Sequence, residues 1–289
     1  MKRSGVALAA LCCATALAAP ITLALAGDLS LARGTVQAQG AAWSRTFALL
    51  GPSLRAEAAF ANLESPLTDA TPQGGGLDLR APPGAVTALS PFTHLGLENN
   101  HAGDGGEGGR RQVRRLLAAR RIFVVDRSTR FQTLARRRLA WLAFLDDGGA
   151  LPLEQIRAAR RATGPDGLVI VAPHWGEEYR GVSARQREAA RRLASAGADL
   201  IVGSGPHVVQ ESERLGRTLV FYSLGNLLFD QPYPATWPGA VVRVTQAGPG
   251  AVLLACAVPT FSRSGRVWPA PAQAAQQVLR RLNLPSCGE

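Results

Sequence analysis

The sequence predicts a mixed α/β fold whose working residues sit in the loops that follow its strands. Three observations carry this. Apolar, β-like runs alternate along the chain with segments at helical spacing, as in α/β architectures. Five polar islands each stand close behind such a run: ITLALAGDLSLAR (21–33), FANLESPLT (60–68), LENNHAGDGG (97–106), LVIVAPHWGEEY (168–179) and LIVGSGPHVVQ (200–210). Of the four histidines, His101, His174 and His207 fall in these islands. Scarce ligand-type residues behind separate strands point to one site built from several strand ends, because ligands in α/β sheets bind beyond the strands' carboxyl ends.

ITLALA is the first strand of the folded domain, with Asp28 just past it. Segment 70–84 (ATPQGGGLDLRAPPG) is a loop by composition. A helix is expected over 108–119, ahead of the strand IFVVD, and another over roughly 153–163, ahead of LVIVA. The clearest helix follows Ser183. Ser183 with Gln186 fits a capping box, REAARRLASA continues at helical spacing, and Gly197 is a C′ stop. DLIVG begins at once, which makes an αβ unit with the polar loop GSGPH at its strand end. GRTLVFYSLGN (216–226) and AVVRVTQAGPGAVLLACAV (240–258) read as successive strands, the second with a turn at Gly248–Gly250. In YSLGN, Tyr222, Ser223 and Asn226 are expected to shape the exit from the strand. The domain is expected to span 21–260. Residues 261–289 then form a Pro- and Ser-richer tail that closes on the helical segment AQAAQQVLRRL.

The N-terminus, MKRSGVALAALCCATALAAP, has a basic start, an apolar stretch and an A-x-A site at Ala16–Ala18, the pattern of a secretory signal over 1–18. Pro20 separates it from ITLALA, and the first half alone is too short to span a bilayer. No later segment is long and apolar enough to span. Cys12 lacks the small preceding residue and the Leu at −3 of a lipoprotein site. The expected location is therefore outside the cytoplasm: periplasmic, envelope-associated or extracellular. With Cys12 and Cys13 removed, Cys256 and Cys287 remain. An oxidising compartment permits a bridge between them, while the apolar run VLLACAV equally suits a buried free thiol at Cys256.

Lys2 is the sole lysine, so 31 of the 32 basic residues are arginine, a bias read as genome composition. Loss of Lys2 and Arg3 with the leader leaves thirty basic side chains against 21 acids and lowers the formal charge from +11 to +9. Such a surface favours an anionic partner. Residues 110–138 hold eleven arginines, among them Arg110, Arg111, Arg114 and Arg115, against the single acid Asp126. This stretch is either a solvated helix face with a loop or a docking surface for a polyanion. An exported chain without aromatic interleaving there is not expected to bind nucleic acid.

Asp28 and Glu64 offer hard oxygen donors, His174 and His207 imidazole, and Asn100 an amide oxygen. Carboxylate with imidazole suits a divalent Mn, Zn or Fe better than Mg. An ion held this way activates water and neutralises phosphoryl charge, and His101 beside it would protonate a leaving oxygen. His94 matches no such pattern and reads as an ordinary polar or core histidine.

GDLSLAR, NLESPLT, ENNHAGDGG, HWGEEY, AGADLIVGSGPHVVQ and YSLGNLLFDQ together resemble, in order and spacing, the CapA family of poly-γ-glutamate capsule-synthesis proteins. That family shares the calcineurin-like metallophosphatase fold. The resemblance runs from Thr22 to Gln231. It implies a two-sheet α/β sandwich with the site at the strand ends, and a role in capsule or poly-γ-glutamate synthesis or export. By the same resemblance Asp28 is the first metal's carboxylate and Glu64 lies at the bridging position. Asn100 and His101 stand as metal ligand and acid, His174 as a ligand of the second metal, and His207 as the last histidine of an HxH motif. Glu178 matches the family's glutamate. Expected partners are an anionic polymer or a phosphorylated envelope substrate, contacted by Arg110, Arg111, Arg114 and Arg115, and a capsule-synthesis complex.

The chain departs from that pattern at Gly205, where the family places the first histidine of H-P-H, and at Glu98, which replaces a small residue. Glycine donates nothing, so two ions, one or none remain open. Three functions remain open with them: a capsule protein with a metal site, a metal-dependent phosphoesterase on another envelope substrate, and a scaffold that has lost catalysis.

Overall fold

The strands whose residues alternate between two apolar surroundings build the molecule. In the computed structural model, residues 19–73 and 76–288 are described; the expected leader, 1–18, lies outside them. In chain order the strands are β1 (Ile21–Leu29), β2 (Ala58–Leu63), β3 (His94–Gly96), β4 (Phe123–Val125), β5 (Arg130–Leu134), β6 (Arg137–Leu145) and β7 (Leu168–His174). There follow β8 (Leu200–Val202), β9 (Ser212–Leu215), β10 (Thr218–Phe221), β11 (Asn226–Leu228), β12 (Pro238–Gln246), β13 (Leu254–Arg263) and β14 (Arg266–Pro269). The helices are α1 (Gly34–Gln39), α2 (Gly51–Leu54), α3 (Gly106–Ala119), α4 (Leu153–Thr163), α5 (Ala184–Ala196) and α6 (Ala272–Leu282).

Two mixed sheets result. One runs β14-β13-β12-β1-β2-β3-β4, with β11 added alongside the end of β1; the other runs β5-β6-β7-β8-β10-β9. Strands β1 to β4 are parallel, as are β6, β7, β8 and β10. The period of two along each strand sorts side chains between layers. In β6, Leu139, Trp141 and Ala143 enter the core between the sheets, while Ala140, Leu142 and Phe144 face α4 and α5. In β1, Leu23 and Leu25 enter the interlayer core, while Ala24 and Ala26 face the outer layer that contains Val113 and Leu117 of α3. Strands covered on both faces read as continuous apolar runs, which is why ITLALA and LVIVA stand out in the sequence. Phe60 and Trp141 stack across the sandwich with ring centroids 5.8 Å apart. The expected two-sheet α/β sandwich is therefore what the chain forms.

Local signals hold where they are strong. The capping box at Ser183 is closed in both directions, with Gln186 N–H donating to Ser183 Oγ at 3.1 Å and Ser183 N–H to Gln186 Oε1 at 3.0 Å. Gly197 ends α5 at φ 112°. His94 is a buried core residue, stacked on Trp141 at 4.6 Å, and burial lowers its pKa to about 4.

Two expectations are corrected. Residues 261–289 are not a tail. β13 and β14 extend the first sheet, and Val278 and Leu282 of α6 are buried in the interlayer core. Cys256 and Cys287 form a disulfide with a sequence separation of 31, which ties the end of the chain to β13. The arginine-rich stretch is not one solvated surface either: beyond α3 it contains the β5–β6 hairpin. Arg137 is buried there, donating to Gln246 O at 3.0 Å and Ala19 O at 2.7 Å.

Candidate metal centre

The carboxyl ends of both sheets meet at one cluster. β1 carries Asp28. Its register against β2 shifts between Leu25 and Asp28, a bulge that re-aims the following side chain. Gly27 allows this: a Cβ there would stand 1.9 Å from Gly225 O, and Asp28 N–H donates to that same oxygen at 3.0 Å. β2 supplies Asn62 and the loop after it Glu64. From the other sheet, β7 ends on His174, and the loop after β8 carries Ser204, Gly205 and His207. All of these except Gly205 are polar groups held in a buried setting.

Asp28, Glu64 and His207 place one ligand atom each within 4.8 Å of one another. His207 Nδ1 donates to Asn226 Oδ1 at 3.0 Å and lies 3.3 Å from Asp28 Oδ2. Asn226 is held the other way round by Thr236 O, which accepts from its Nδ2 at 3.3 Å. That commits Nδ1 as a donor, so Nε2, 3.9 Å from Glu64 Oε2, is the atom that offers a lone pair once the ring gives up its second proton. A histidine whose second ring nitrogen is committed to an oxygen acceptor is the usual form of a metal ligand. Glu64 Oε2 is buried with no hydrogen-bond partner, an arrangement that buried polar atoms avoid. This orphaned oxygen, the second carboxylate and the oriented imidazole fit a divalent ion.

The amides around the cluster form a chain. Asn99 Nδ2 donates to Leu63 O at 2.9 Å and to Asn62 Oδ1 at 3.2 Å. Asn62 Nδ2 in turn donates to Asp28 Oδ1 at 2.9 Å and lies 3.2 Å from His174 Nδ1. Ser204 Oγ is 3.1 Å from the same nitrogen, and Gly205 N–H donates to Asp28 Oδ2 at 3.0 Å. His174 Nδ1 reaches Glu64 Oε1 at 3.9 Å but stands outside the tight triad.

Charge within the cluster is unequal. Burial opposes ionisation of Asp28, but the hydrogen bond and charge of His207 outweigh it and hold the carboxyl below its ordinary range. Burial, then the adjacent Asp28, pushes Glu64 well above the ordinary carboxylate value. Burial also opposes charging of His207, yet Glu64 and Asp28 raise it to about 10. Burial lowers His174 to about 4, so its contact with Glu64 is not an ion pair near neutrality.

The other expected residues lie as follows. His101 Nδ1 is 3.0 Å from Asp104 Oδ2, which also accepts from Leu79 N–H at 2.8 Å. Asn100 is exposed and outside the cluster, a correction. The inward place belongs to Asn99, because the turn closes by His101 N–H donating to Asn99 Oδ1 at 3.1 Å. Two adjacent asparagines in a loop have no period that tells them apart. Glu98 is neither solvent-facing nor a ligand: it is buried and pairs with Arg127 at 3.0 Å. Glu178 is half-exposed and comes within 4.0 Å of His207 Nε2. Arg110 and Arg114 line a small hollow with Leu63 and Ser65, the neighbours of Glu64. Arg114 is paired with Asp126 at 2.6 Å, and Arg111 and Arg115 are exposed. Asn226 and Asp104, which orient His207 and His101, were not among the expected site residues. The spacing in HAGD was the one available signal for Asp104.

Gly205 is more than an absent ligand. Its φ is 110°, and a Cβ there would meet Trp175 O at 2.9 Å and His174 Nε2 at 3.3 Å. The backbone has taken a conformation that side chains rarely adopt.

The family model for the bacterial capsule synthesis protein PGA_cap matches residues 22–144 and 126–231. The chain belongs to this family. The PGA biosynthesis protein CapA of Bacillus subtilis (strain 168) is 33% identical over 176 residues, 53% of this chain and 46% of that protein. The capsule biosynthesis protein CapA of Bacillus anthracis is 33% identical over 190 residues, 56% of this chain and 46% of that protein. The chain thus matches about half the length of these curated relatives. A hypothetical protein from Thermus thermophilus shares the fold, with a TM-score of 0.51 and 16% identity, covering 87% of this chain and 100% of that one.

Proposed function

We propose that this PGA_cap protein works outside the cytoplasm in synthesis or export of an anionic capsule polymer, poly-γ-glutamate, and that Asp28, Glu64 and His207 hold a divalent Mn, Zn or Fe ion. The orphaned Oε2 of Glu64, facing His207 Nε2 across 3.9 Å, is the observation that carries the metal. The names of the two curated relatives support the polymer. The signal pattern of 1–18 and the Cys256–Cys287 bridge support export, since disulfides persist in oxidising compartments. Among the described residues no helix is long and apolar enough to cross a membrane.

A bound ion supplies charge neutralisation and polarisation of an anionic oxygen. Asn226 holds the His207 ring in its binding tautomer. Asn62 and Gly205 N–H fix both oxygens of Asp28. Asp104 anchors His101 Nδ1, which leaves Nε2 as the atom that passes a proton to a leaving oxygen. A capsule-synthesis complex is the setting in which such a site would act, and the exposed Arg111 and Arg115, with Arg110 and Arg114, offer one surface for a polyanion.

The crowded Gly205 favours a second reading, a site that keeps its shape as a binding scaffold without turnover. Elemental analysis of the purified chain, beside hydrolysis of a chromogenic phosphate ester, separates the two. About one ion per chain, with a rate lost in both Asp28→Asn and His101→Ala, supports the enzyme. Bound metal with no turnover supports the scaffold, and no metal at any pH between 6 and 9 refutes the centre.

A further inference from the structure

A groove of about 730 Å³ runs from the rim of the metal centre to α6. At the near end stand Tyr179, whose ring centroid is 6.2 Å from that of His207, and Val208, the residue after His207. Arg280 and Arg281 of α6 line the groove, and Arg180 lines it from the loop after β7. No acidic residue lines it. Among the described residues none of these three arginines takes part in an ion pair, unlike Arg114 and Arg130 with Asp126 or Arg127 with Glu98. Arg280 and Arg281 in the last turn also suit the helix dipole. That accounts for two cations on one helix and not for a third on a separate loop along the same groove.

The walls are fixed. Gln210 Nε2 donates to Arg180 O at 3.0 Å, and Arg281 Nη1 reaches Val209 O at 3.3 Å. Val278 is buried in the interlayer core, and the Cys256–Cys287 bridge holds the chain just beyond α6. The groove exceeds what one carboxylate or phosphate needs and falls within the size of ordinary ligand sites. Its three cations come from two separate elements, α6 and the loop after β7, which suits repeated negative charges on an extended chain.

We propose that this groove is a subsite for the carboxylates of an extended polycarboxylate chain, held beside the metal triad by Arg180, Arg280 and Arg281. This rests on the capsule-polymer reading above and moves the main polymer contact from α3 to the other side of the site. The test uses the full chain and a fluorescent γ-glutamate oligomer, with affinity read by anisotropy at low and physiological salt. Arg180→Gln/Arg280→Gln/Arg281→Gln is expected to weaken binding about tenfold or more and to flatten its salt dependence. Arg180→Gln alone is expected to show a smaller loss in the same direction, with metal content unchanged in both. Arg111→Gln/Arg115→Gln on α3 is the comparison and is expected to weaken binding less than the groove variant. Unchanged affinity in the triple variant, or loss only in the α3 variant, overturns the groove and leaves the capsule-polymer reading standing. Wild type that binds a polyphosphate of matched charge but not the γ-glutamate oligomer, or binds neither, refutes that reading and the groove assignment with it.

Discussion

Replacing Glu64 by Gln is expected to stabilise the metal-free protein while removing its response to metal. Glu64 is fully buried, Oε2 has no partner, and Asp28 lies beside it. An unpaired buried acceptor costs about 1–3 kcal/mol. Burial and the Asp28 charge hold the Glu64 pKa above its ordinary value of 4.5. The folded state therefore keeps this proton to higher pH than the unfolded state, and stability falls as pH rises from the ordinary value through the raised one. Gln does not ionise, so it escapes this pH-dependent loss. In chelator at pH 8, Glu64→Gln should gain on wild type by about 1.4 kcal/mol for each unit by which the Glu64 pKa stands above its ordinary value, and the gap should close below the ordinary carboxylate range. With metal at a hundredfold excess over Kd, wild type gains about 2.7 kcal/mol and the variant gains none. Urea unfolding in chelator and in Mn or Zn measures both effects. A variant less stable than wild type in chelator at every pH, or one that keeps the metal-induced gain, refutes the reasoning.

Cutting the Cys256–Cys287 bridge by double Cys→Ala substitution should lower stability by roughly 3–4 kcal/mol on the chain-entropy account of a loop of this size; equal urea midpoints would show that the β13 contacts alone hold the chain end. Gly205→His should lose about 1–3 kcal/mol through its positive φ and should not raise metal content, because its Cβ meets Trp175 and His174; recovery of a second ion at undiminished melting temperature would contradict this. Metal uptake should release protons, and affinity should climb from pH 6 to 9, because His207 keeps its proton up to about pH 10 in the metal-free protein and must lose it to ligate. A flat pH profile would mean that His207 is not a ligand.

Much of the architecture was legible because the parallel strands are covered on both faces and leave unbroken apolar runs, and because α5 carries its own capping box and stop. The strand-end islands pointed to Asp28, Glu64, His174 and His207 for the same reason: each stands at or shortly behind the end of an apolar run. What was hidden is equally physical. The β5–β6 hairpin lies in an arginine-rich stretch where Arg137 is buried and Arg138 exposed, so the period of two is written in one residue type and cannot be seen. The last strand and α6 read as a tail because Pro and Ser dominate their flanks, while β14 is held by pairing with β13 and α6 by packing on β12 and β13. The choice between Asn99 and Asn100 depends on one turn hydrogen bond. The conformation of Gly205 depends on Trp175, a neighbour the sequence places thirty residues away.

The triad draws Asp28 and Glu64 from one sheet and His207 from the other, with Phe60 and Trp141 stacked across the same interface. Its dimensions are therefore set by how far apart the two layers ride. A change such as Trp141→Leu touches no ligand, yet by letting the layers settle closer or splay it would alter the bite of the donor set. With an ion held as proposed, its affinity would serve as a gauge of interlayer spacing, and drift at core positions would carry a cost that inspection of the ligands alone would not reveal.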